Sequence, residues 1–565
     1  MSAAESVAHS LSASQHLIRQ TIKVQSVCQT LLWLAISLYV FLVLRLTFYL
    51  HDSVFGFQSG WDLAIFDQAA WLISQGQTPF VTVRGLHILA DHFSVILYLL
   101  APLYWIWDSP KSLLVAQTVA LALGTLPIYA LARERTGSAL TGLVFAVCYL
   151  LYPIMQWSNT YEFHPDTFAT PLLLAAFLYL TRERWLWYFA MLGLAVLTKE
   201  SAGLIVMALG VYVLFKVNRR IGWLTLGFGL LTLVVALGTV RFFNEGTESG
   251  YYLLYGKYGD SVPAIAGYLL THPLEVFADL NTATKREYLL HLLQPLMFLP
   301  LLAPELLLVA IPGLLTNLLS SRGVMHTLHG GYYAATITPI LFVSALTGYD
   351  RLRRRIGISG AKVVGVNLCV WSLMGVSQSA LWRQYHELYS RSAATQTEEK
   401  QRAAETLGIL AAIPPQASVS AQITLTSHLS HRRHLYTFPN PFLQRGWGNT
   451  VQARRELEFY GGFTPPPAQL ERAITDATIE YVVLCPSTMR FPLLNNNFEE
   501  CALELLKNRS YGIIAIGAYT VLLRRGADHG RGLHLLEERA AVPIVKPQDK
   551  EMAFWKWLGN QPSPP

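Results

Sequence analysis

Long apolar runs separated by short basic clusters dominate the chain. The first run, Cys28 to Leu50, is long enough to cross ~30 Å of hydrocarbon at 1.5 Å per residue, and Arg19 and Lys23 precede it. This predicts a cytoplasmic N-terminus (residues 1–27) and a first span running outward. No small-residue cleavage site follows, so the run reads as a retained anchor. Arg133/Arg135, Arg182/Arg184, Lys216/Arg219/Arg220 and Arg351/Arg353/Arg354/Arg355 end or separate later apolar runs and are placed in the cytoplasm. Between them, spans are expected at Leu113–Leu131, Ala139–Trp157, Thr167–Leu180, Trp185–Leu197, Gly203–Phe215 and Trp223–Val240. A long outer loop from Arg241 to about Lys285 precedes Leu289–Leu302, Leu306–Leu319, Ala334–Leu346 and Lys362–Met374. The count is about eleven spans under the ~20-residue rule, and an odd number puts the C-terminal part outside.

The stretch Phe93–Trp107 is short, carries Pro102 and ends in Tyr104, Trp105 and Trp107, which suits an interfacial helix better than a span. Treating it as a span would turn the arginine clusters outward. Residues 51–111 therefore form one large outer loop, with an amphipathic helix near Asp62–Gln75. Residues 28–379 read as the transmembrane domain. After residue 380 polar residues enter, and the alternation predicts a helix at Thr395–Ala412. Strands follow at Ala417–Ala421, His434–Phe438 and Ile479–Cys485, then a helix at Phe498–Asn508 and strands in Tyr511–Arg525. Residues 380–525 are accordingly expected to be an exocytoplasmic α/β domain. A polar tail, 526–565, follows, with Trp555 and Trp557 available to touch the membrane surface.

Composition sharpens the class. Of 565 residues, 52% are hydrophobic and 14% charged, which excludes a purely soluble or disordered chain. The net charge of +7 sits in the clusters that write topology, not in a nucleic-acid patch. The five cysteines show neither disulfide-scaffold nor zinc spacing; Cys485 and Cys501 either pair or stay as free thiols. The expected place is the plasma (inner) membrane, multi-pass, in the cell envelope.

On this topology the ionisable residues converge on the outer side, where such groups near a membrane usually face a site. The first loop supplies Trp61, Asp62, Asp67, Arg84, His87, Asp91 and His92. The third span ends in Glu162, His164 and Asp166, the fifth in Lys199-Glu200, and a later loop carries His329, Tyr332 and Tyr333. Structural readings stand beside these: Asp62 as the N-cap of its helix, His164-Pro165-Asp166 as a turn, Lys199 and Glu200 as an ion pair. His87, Asp91 and His92 are competent metal ligands, or hydrogen-bond their own loop.

The arrangement resembles the GT-C superfamily of polytopic glycosyltransferases. The resemblance rests on an acidic motif opening the loop helix (Asp62 to Ser74-Gln-Gly76), the interfacial segment, Asp166, and Leu197-Thr-Lys-Glu200 at an outer helix break. The last two are similar to the protein mannosyltransferase and aminoarabinose transferase branch. Trp61-Asp-Leu-Ala-Ile-Phe-Asp-Gln68, Glu162-Phe-His-Pro-Asp166 and Ser427-His-Leu-Ser-His-Arg432 look closer to a bacterial membrane family of unknown function. Where the branch carries an Asp-Glu pair, Leu63 follows Asp62 here.

The resemblance implies a mainly α, GT-C-like fold and transfer of a sugar from a polyprenyl-phosphate donor to an acceptor at the outer face. Asp62 or Asp67 would be the general base, with Asp62 favoured. Arg84, Lys199 and His329 would hold the phosphate, and Glu200, Tyr332 and Trp61 would complete the donor site. His87, Asp91, His92, Glu162, His164 and Asp166 would serve the acceptor or a divalent cation, Mg or Mn. The lipid bilayer is the expected partner, and no nucleic acid. The competing readings are a lipid or solute transporter or flippase, which commonly shows repeated halves absent here, and a non-catalytic scaffold binding a partner through the exterior domain's His428, His431, Arg432 and Arg433.

Overall fold

The computed structural model describes residues 3–54, 60–246, 250–259, 261–443, 467–485, 495–508, 510–517 and 520–528, with side chains described from residue 23 onward except at 262, 467–469, 495–497, 499, 500 and 503. Trp555, Trp557 and most of the polar tail lie outside the described residues. The first helix, α1, spans Ala3–Asp52. The loop that follows holds α2 (Trp61–Ser74), a two-stranded hairpin of β1 (Phe80–Val81) and β2 (Leu86–His87), α3 (Ile88–Asp91) and α4 (Leu97–Leu100).

The bundle continues through α5 (Lys111–Leu123), α6 (Thr125–Thr136), α7 (Ala139–Leu151), α8 (Pro153–Thr160), α9 (Ala169–Thr181), α10 (Trp185–Val196), α11 (Ala202–Lys216) and α12 (Arg219–Phe243). Helices α13 (Val262–Thr271), α14 (Pro273–Leu280) and α15 (Ala283–Leu293) occupy the stretch expected to be a long loop. They are followed by α16 (Pro304–Leu318) and α17 (Thr338–Val376). The last is two helices joined at Gly357, whose φ of 70° only glycine adopts cheaply. Gly124 joins α5 to α6 for another reason: a Cβ there would lie 2.5 Å from the Tyr149 hydroxyl, which donates to Leu121 O.

The eleven expected spans are met only in part by helices of full spanning length. Among the described residues four helices are long and apolar enough to cross a membrane: Lys23–Asp52, Lys111–Thr136, Arg219–Phe243 and Thr338–Val376. The bent pair α7–α8 makes a fifth. Four expected spans appear as α9 (13 residues), α10 (12), α11 (15) and α16 (15), shorter than the ~20 residues a span needs. They stop early because the polar segments 161–168, 198–201 and 319–333 turn inward between them.

The basic clusters gather at one end of the bundle. Asp350 pairs with Arg353 and Arg354, each at 3.0 Å, and with Arg135 at 3.6 Å, while Arg182 pairs with Glu134 and Arg351 with Glu305. The loop carrying α2 lies at the other end. There Ile106 and Trp105 are 86% and 72% exposed at the tip of the Phe93–Trp107 stretch, the surface an interfacial segment presents.

After α18 (Ala380–Ser390) and α19 (Ala393–Ala411), the chain forms a mixed sheet in the order β4-β3-β5-β7-β6. Its strands are β3 (Val419–Ala421), β4 (Leu435–Thr437), β5 (Tyr481–Leu484), β6 (Tyr511–Ile516) and β7 (Val521–Arg525). Only β4-β3-β5 is parallel. Cys485 and Cys501 are buried thiols that pack into different apolar clusters, not a pair. The sheet docks directly on the first loop, so α2 is not the amphipathic surface helix its sequence predicts. Leu63 to Ala70 and Leu72 are all buried, because the segment Ile423–His428 covers the face that would otherwise meet water.

Candidate functional site

Everything polar at this end is organised around the start of α2. Gly60 takes the N-cap position in a left-handed conformation, and no side chain of the helix's own caps it. The fully buried Glu162 carboxylate does so from a distant segment, accepting Gly60 N–H at 3.0 Å and Leu63 N–H at 2.9 Å. Four orphan N–H groups at a helix start need such partners. Asp62 is thereby released from capping. Its Oδ2 lies 3.3 Å from His164 Nε2, and the His164 ring stacks on Tyr332 with centroids 3.6 Å apart.

Gln117 on α5 fixes the segment that delivers both Glu162 and His164. Its amide donates to Glu162 O at 2.8 Å and accepts from His164 N–H at 2.9 Å and the Thr167 hydroxyl at 3.2 Å. A second polar arm comes from the break between α10 and α11. Lys199 Nζ lies 3.1 Å from Asp166 Oδ2 and 5.4 Å over the Tyr333 ring. Glu200 accepts from Phe93 N–H at 3.1 Å and meets His92 Nδ1 at 2.9 Å.

Charge is balanced pair by pair. Burial would raise the Asp62 carboxyl, but the hydrogen bond and charge of His164, with Arg322 and Arg84 behind them, hold it below the usual carboxylate range. Burial likewise opposes ionisation of Glu200, and His92 and Lys199 overcome it, bringing it down to about 2. Burial would lower Lys199, yet Asp166 and Glu200 hold it above the ordinary lysine value.

These groups line one cavity of about 760 Å³. Asp62, Asp91, His92, His164, Asp166, Lys199, Glu200 and Tyr332 all reach it. Much of the remaining lining is apolar, including Leu233 and Leu237 of α12 and Ile265 and Leu269 of α13. Arg322, Tyr251 and Tyr255 also line it and carry no signal in the sequence beyond residue type. Arg322, between α16 and the Gly323–His326 turn, makes no ion pair among the described residues.

Six residues expected at the site are elsewhere. Asp67, fully buried on the far side of α2, accepts from Tyr104 and Ser430 and lies 3.1 Å from His431 Nε2. It ties the sheet to the loop. Arg84 lies 5.7 Å over the Trp61 ring and 3.8 Å from Asp91, so both it and Trp61 pack beneath the site. His87 Nδ1 accepts from Leu89 N–H at 3.2 Å and caps α3, while its ring stacks on Phe243. That capping removes it from a cluster with Asp91 and His92. Glu162 is the cap described above, and His329 packs on Trp157 with centroids 4.3 Å apart. Among the described residues no group of three or more His, Cys, Asp or Glu is arranged to hold a metal ion.

A model of a family described as predicted membrane protein (DUF2079) matches residues 54–452. No curated protein matches the chain. The solved structure of ArnT from Cupriavidus metallidurans bound to undecaprenyl phosphate is 14% identical, with a TM-score of 0.50 over 87% of this chain and 98% of that one. At that identity the likeness shows the fold. The GT-C resemblance read from the sequence is borne out at that level: the chain is a mainly helical membrane protein with an ArnT-like fold.

Proposed function

We infer the function from two facts: the chain belongs to DUF2079, a family of predicted membrane proteins, and its cavity joins a paired carboxylate, a cation without an ion pair among the described residues, and apolar walls. The reading these support is a membrane glycosyltransferase that moves a sugar from a polyprenyl-phosphate donor to an acceptor hydroxyl. The observation that carries it is the release of Asp62 from helix capping into the polar end of the cavity, against His164. A carboxylate beside an imidazole can accept the acceptor's proton as its oxygen attacks the anomeric carbon. The new C–O bond forms as the bond from the anomeric carbon to the phosphate oxygen breaks. Arg322 and Lys199, which both line the cavity, would neutralise the departing lipid phosphate. A single displacement inverts the anomeric centre. Asp166, tied to Lys199, is poorly placed as the nucleophile a retaining route requires.

The apolar walls suit an isoprenoid chain, and ArnT, whose fold is similar, is described bound to undecaprenyl phosphate. The sidedness proposed is an outward-facing cavity in the plasma membrane, since the arginine clusters lie at the opposite end. The test is native mass spectrometry of the purified protein with undecaprenyl phosphate, followed by turnover assays with lipid-linked sugars. Lipid binding that persists in Asp62→Asn, together with transfer that this variant abolishes, supports the reading; failure to bind any polyprenyl phosphate overturns it.

A further inference from the structure

Helices α13 and α14 form a hairpin whose tip and base differ in chemistry. From Ser261 to Leu274 the sequence holds no Asp, Glu, Lys or Arg. At the tip and just beyond it Leu270, Leu274 and Phe277 are 83%, 83% and 66% exposed. One carboxylate stands at the tip, Glu275, exposed beside Leu274 and accepting from the Tyr268 hydroxyl at 2.6 Å; the other charged groups lie toward the base, where Asp279 pairs with Lys257 and accepts from Tyr258 at 3.1 Å, and Lys285 donates to Asp279 O at 2.9 Å. Tyr258, Val276 and Leu319 form a small buried cluster that seats the hairpin on the end of α16.

The exposed side continues a surface already read as lipid-facing. On α12, a helix long and apolar enough to span, Leu231, Val234 and Val235 are at least half exposed, and its Leu237 lines the same cavity as Ile265 and Leu269 of α13. Helix α13 of the hairpin is therefore a wall of the cavity, and the exposed residues of the hairpin face the surrounding medium. Large exposed apolar side chains gain from leaving water, and a hairpin that carries them beside few charges, Glu275 being held by the Tyr268 hydroxyl, is the form that lies at the boundary of a leaflet.

We propose that the α13–α14 hairpin is inserted, tip first, among the acyl chains of the leaflet at the cavity end, and forms the partition between bilayer and cavity. The occupant of its apolar face is lipid, not a second protein surface. The proposal stands independently of any sugar chemistry.

Single cysteines at Leu270→Cys and Leu274→Cys, spin-labelled in nanodiscs of phosphatidylcholine and phosphatidylglycerol, test it. Val234→Cys on α12 serves as the lipid reference and Ala394→Cys on exposed α19 as the water reference. All four sites are exposed, so folding is retained, and the signal of the parent protein's own cysteines is subtracted. Labels at 270 and 274 should collide with oxygen several-fold more than with a water-soluble nickel complex, as at 234. A water-like ratio as at 394 would overturn the proposal. Protection from both reagents would overturn it too, by placing a protein partner or a second copy on that face.

Discussion

Asp62 and Asp67 stand on opposite faces of α2, the first toward His164 in the cavity, the second fully buried against Tyr104, Ser430 and His431. The two aspartates are thus separated by environment, not only by position. Under the proposed function Asp62→Asn loses ~10²-fold or more in turnover while donor binding persists. Asp67→Asn instead loosens the sheet from the loop and appears as faster proteolysis between them. Equal turnover losses with equal proteolysis in both variants would remove this distinction.

Glu162→Gln tests the cap. The carboxylate accepts two backbone N–H groups, whereas an amide offers one oxygen and turns a donor toward the other. With the group fully buried, the unsatisfied N–H is expected to cost about 1–3 kcal/mol, read as a lower melting temperature in detergent. Turnover falls with it, because the N-terminus that positions Asp62 is no longer held. Wild-type stability in this variant would return Glu162 to the acceptor or ion-binding role its sequence context implied.

How far the sequence reached depends on what each signal encodes. Apolar runs are set by the bilayer, so α1, α12 and the residue 111–136 span were readable from length and flanking charge. The short helices α9 and α10 were readable too, their ends within about two residues of the expected Thr167–Leu180 and Trp185–Leu197, because the polar segments that return into the bundle also end the apolar runs. At the site, residue type brought Asp62, His164, Asp166, Lys199 and Glu200 together correctly. It could not tell Glu162 from Asp62 as the cap, since a cap from a segment 99 residues away leaves no local spacing. Nor could it show that Asp67 turns toward the sheet: that depends on Ser430 and His431, 363 and 364 residues later. Arg322 sits among ordinary loop residues, and only the closure of the cavity gives it a role.

His431 makes the docking of the sheet depend on pH. It lies 3.1 Å from Asp67 and 2.9 Å from Asp108, stacks on Trp71 and meets Tyr104 edge-on. Burial would lower its pKa, but Asp67 and Asp108 raise it above the usual histidine value. A raised folded-state pKa means the contribution is complete below the unfolded value of ~6.5 and is lost as pH rises through the folded value. Limited proteolysis between loop and sheet should accelerate on going from about pH 6 into the alkaline range. His431→Gln should flatten that profile, and an unchanged profile in this variant would assign the titration to another group.

Lys199 and Arg322 both point cations at the cavity, yet their substitution should fail differently. Lys199 is paired with Asp166, whose side chain is 8% exposed, so Lys199→Met leaves a buried carboxylate without its counter-charge. Breaking a buried pair from one side costs ~3–5 kcal/mol, and the variant should therefore be unstable before any effect on lipid is measured. Adding Asp166→Asn removes the stranded charge and should restore most of the melting temperature. The double variant then isolates what Lys199 gives the phosphate. Arg322 makes no ion pair among the described residues, so Arg322→Met strands nothing. It should leave melting unchanged and weaken undecaprenyl-phosphate binding by about 1.5–3 kcal/mol, roughly 10- to 100-fold. Should Arg322→Met bind that lipid as tightly as the parent while the double variant loses it, Lys199 alone carries the phosphate. Should both bind normally, the polar end of the cavity does not receive a lipid phosphate.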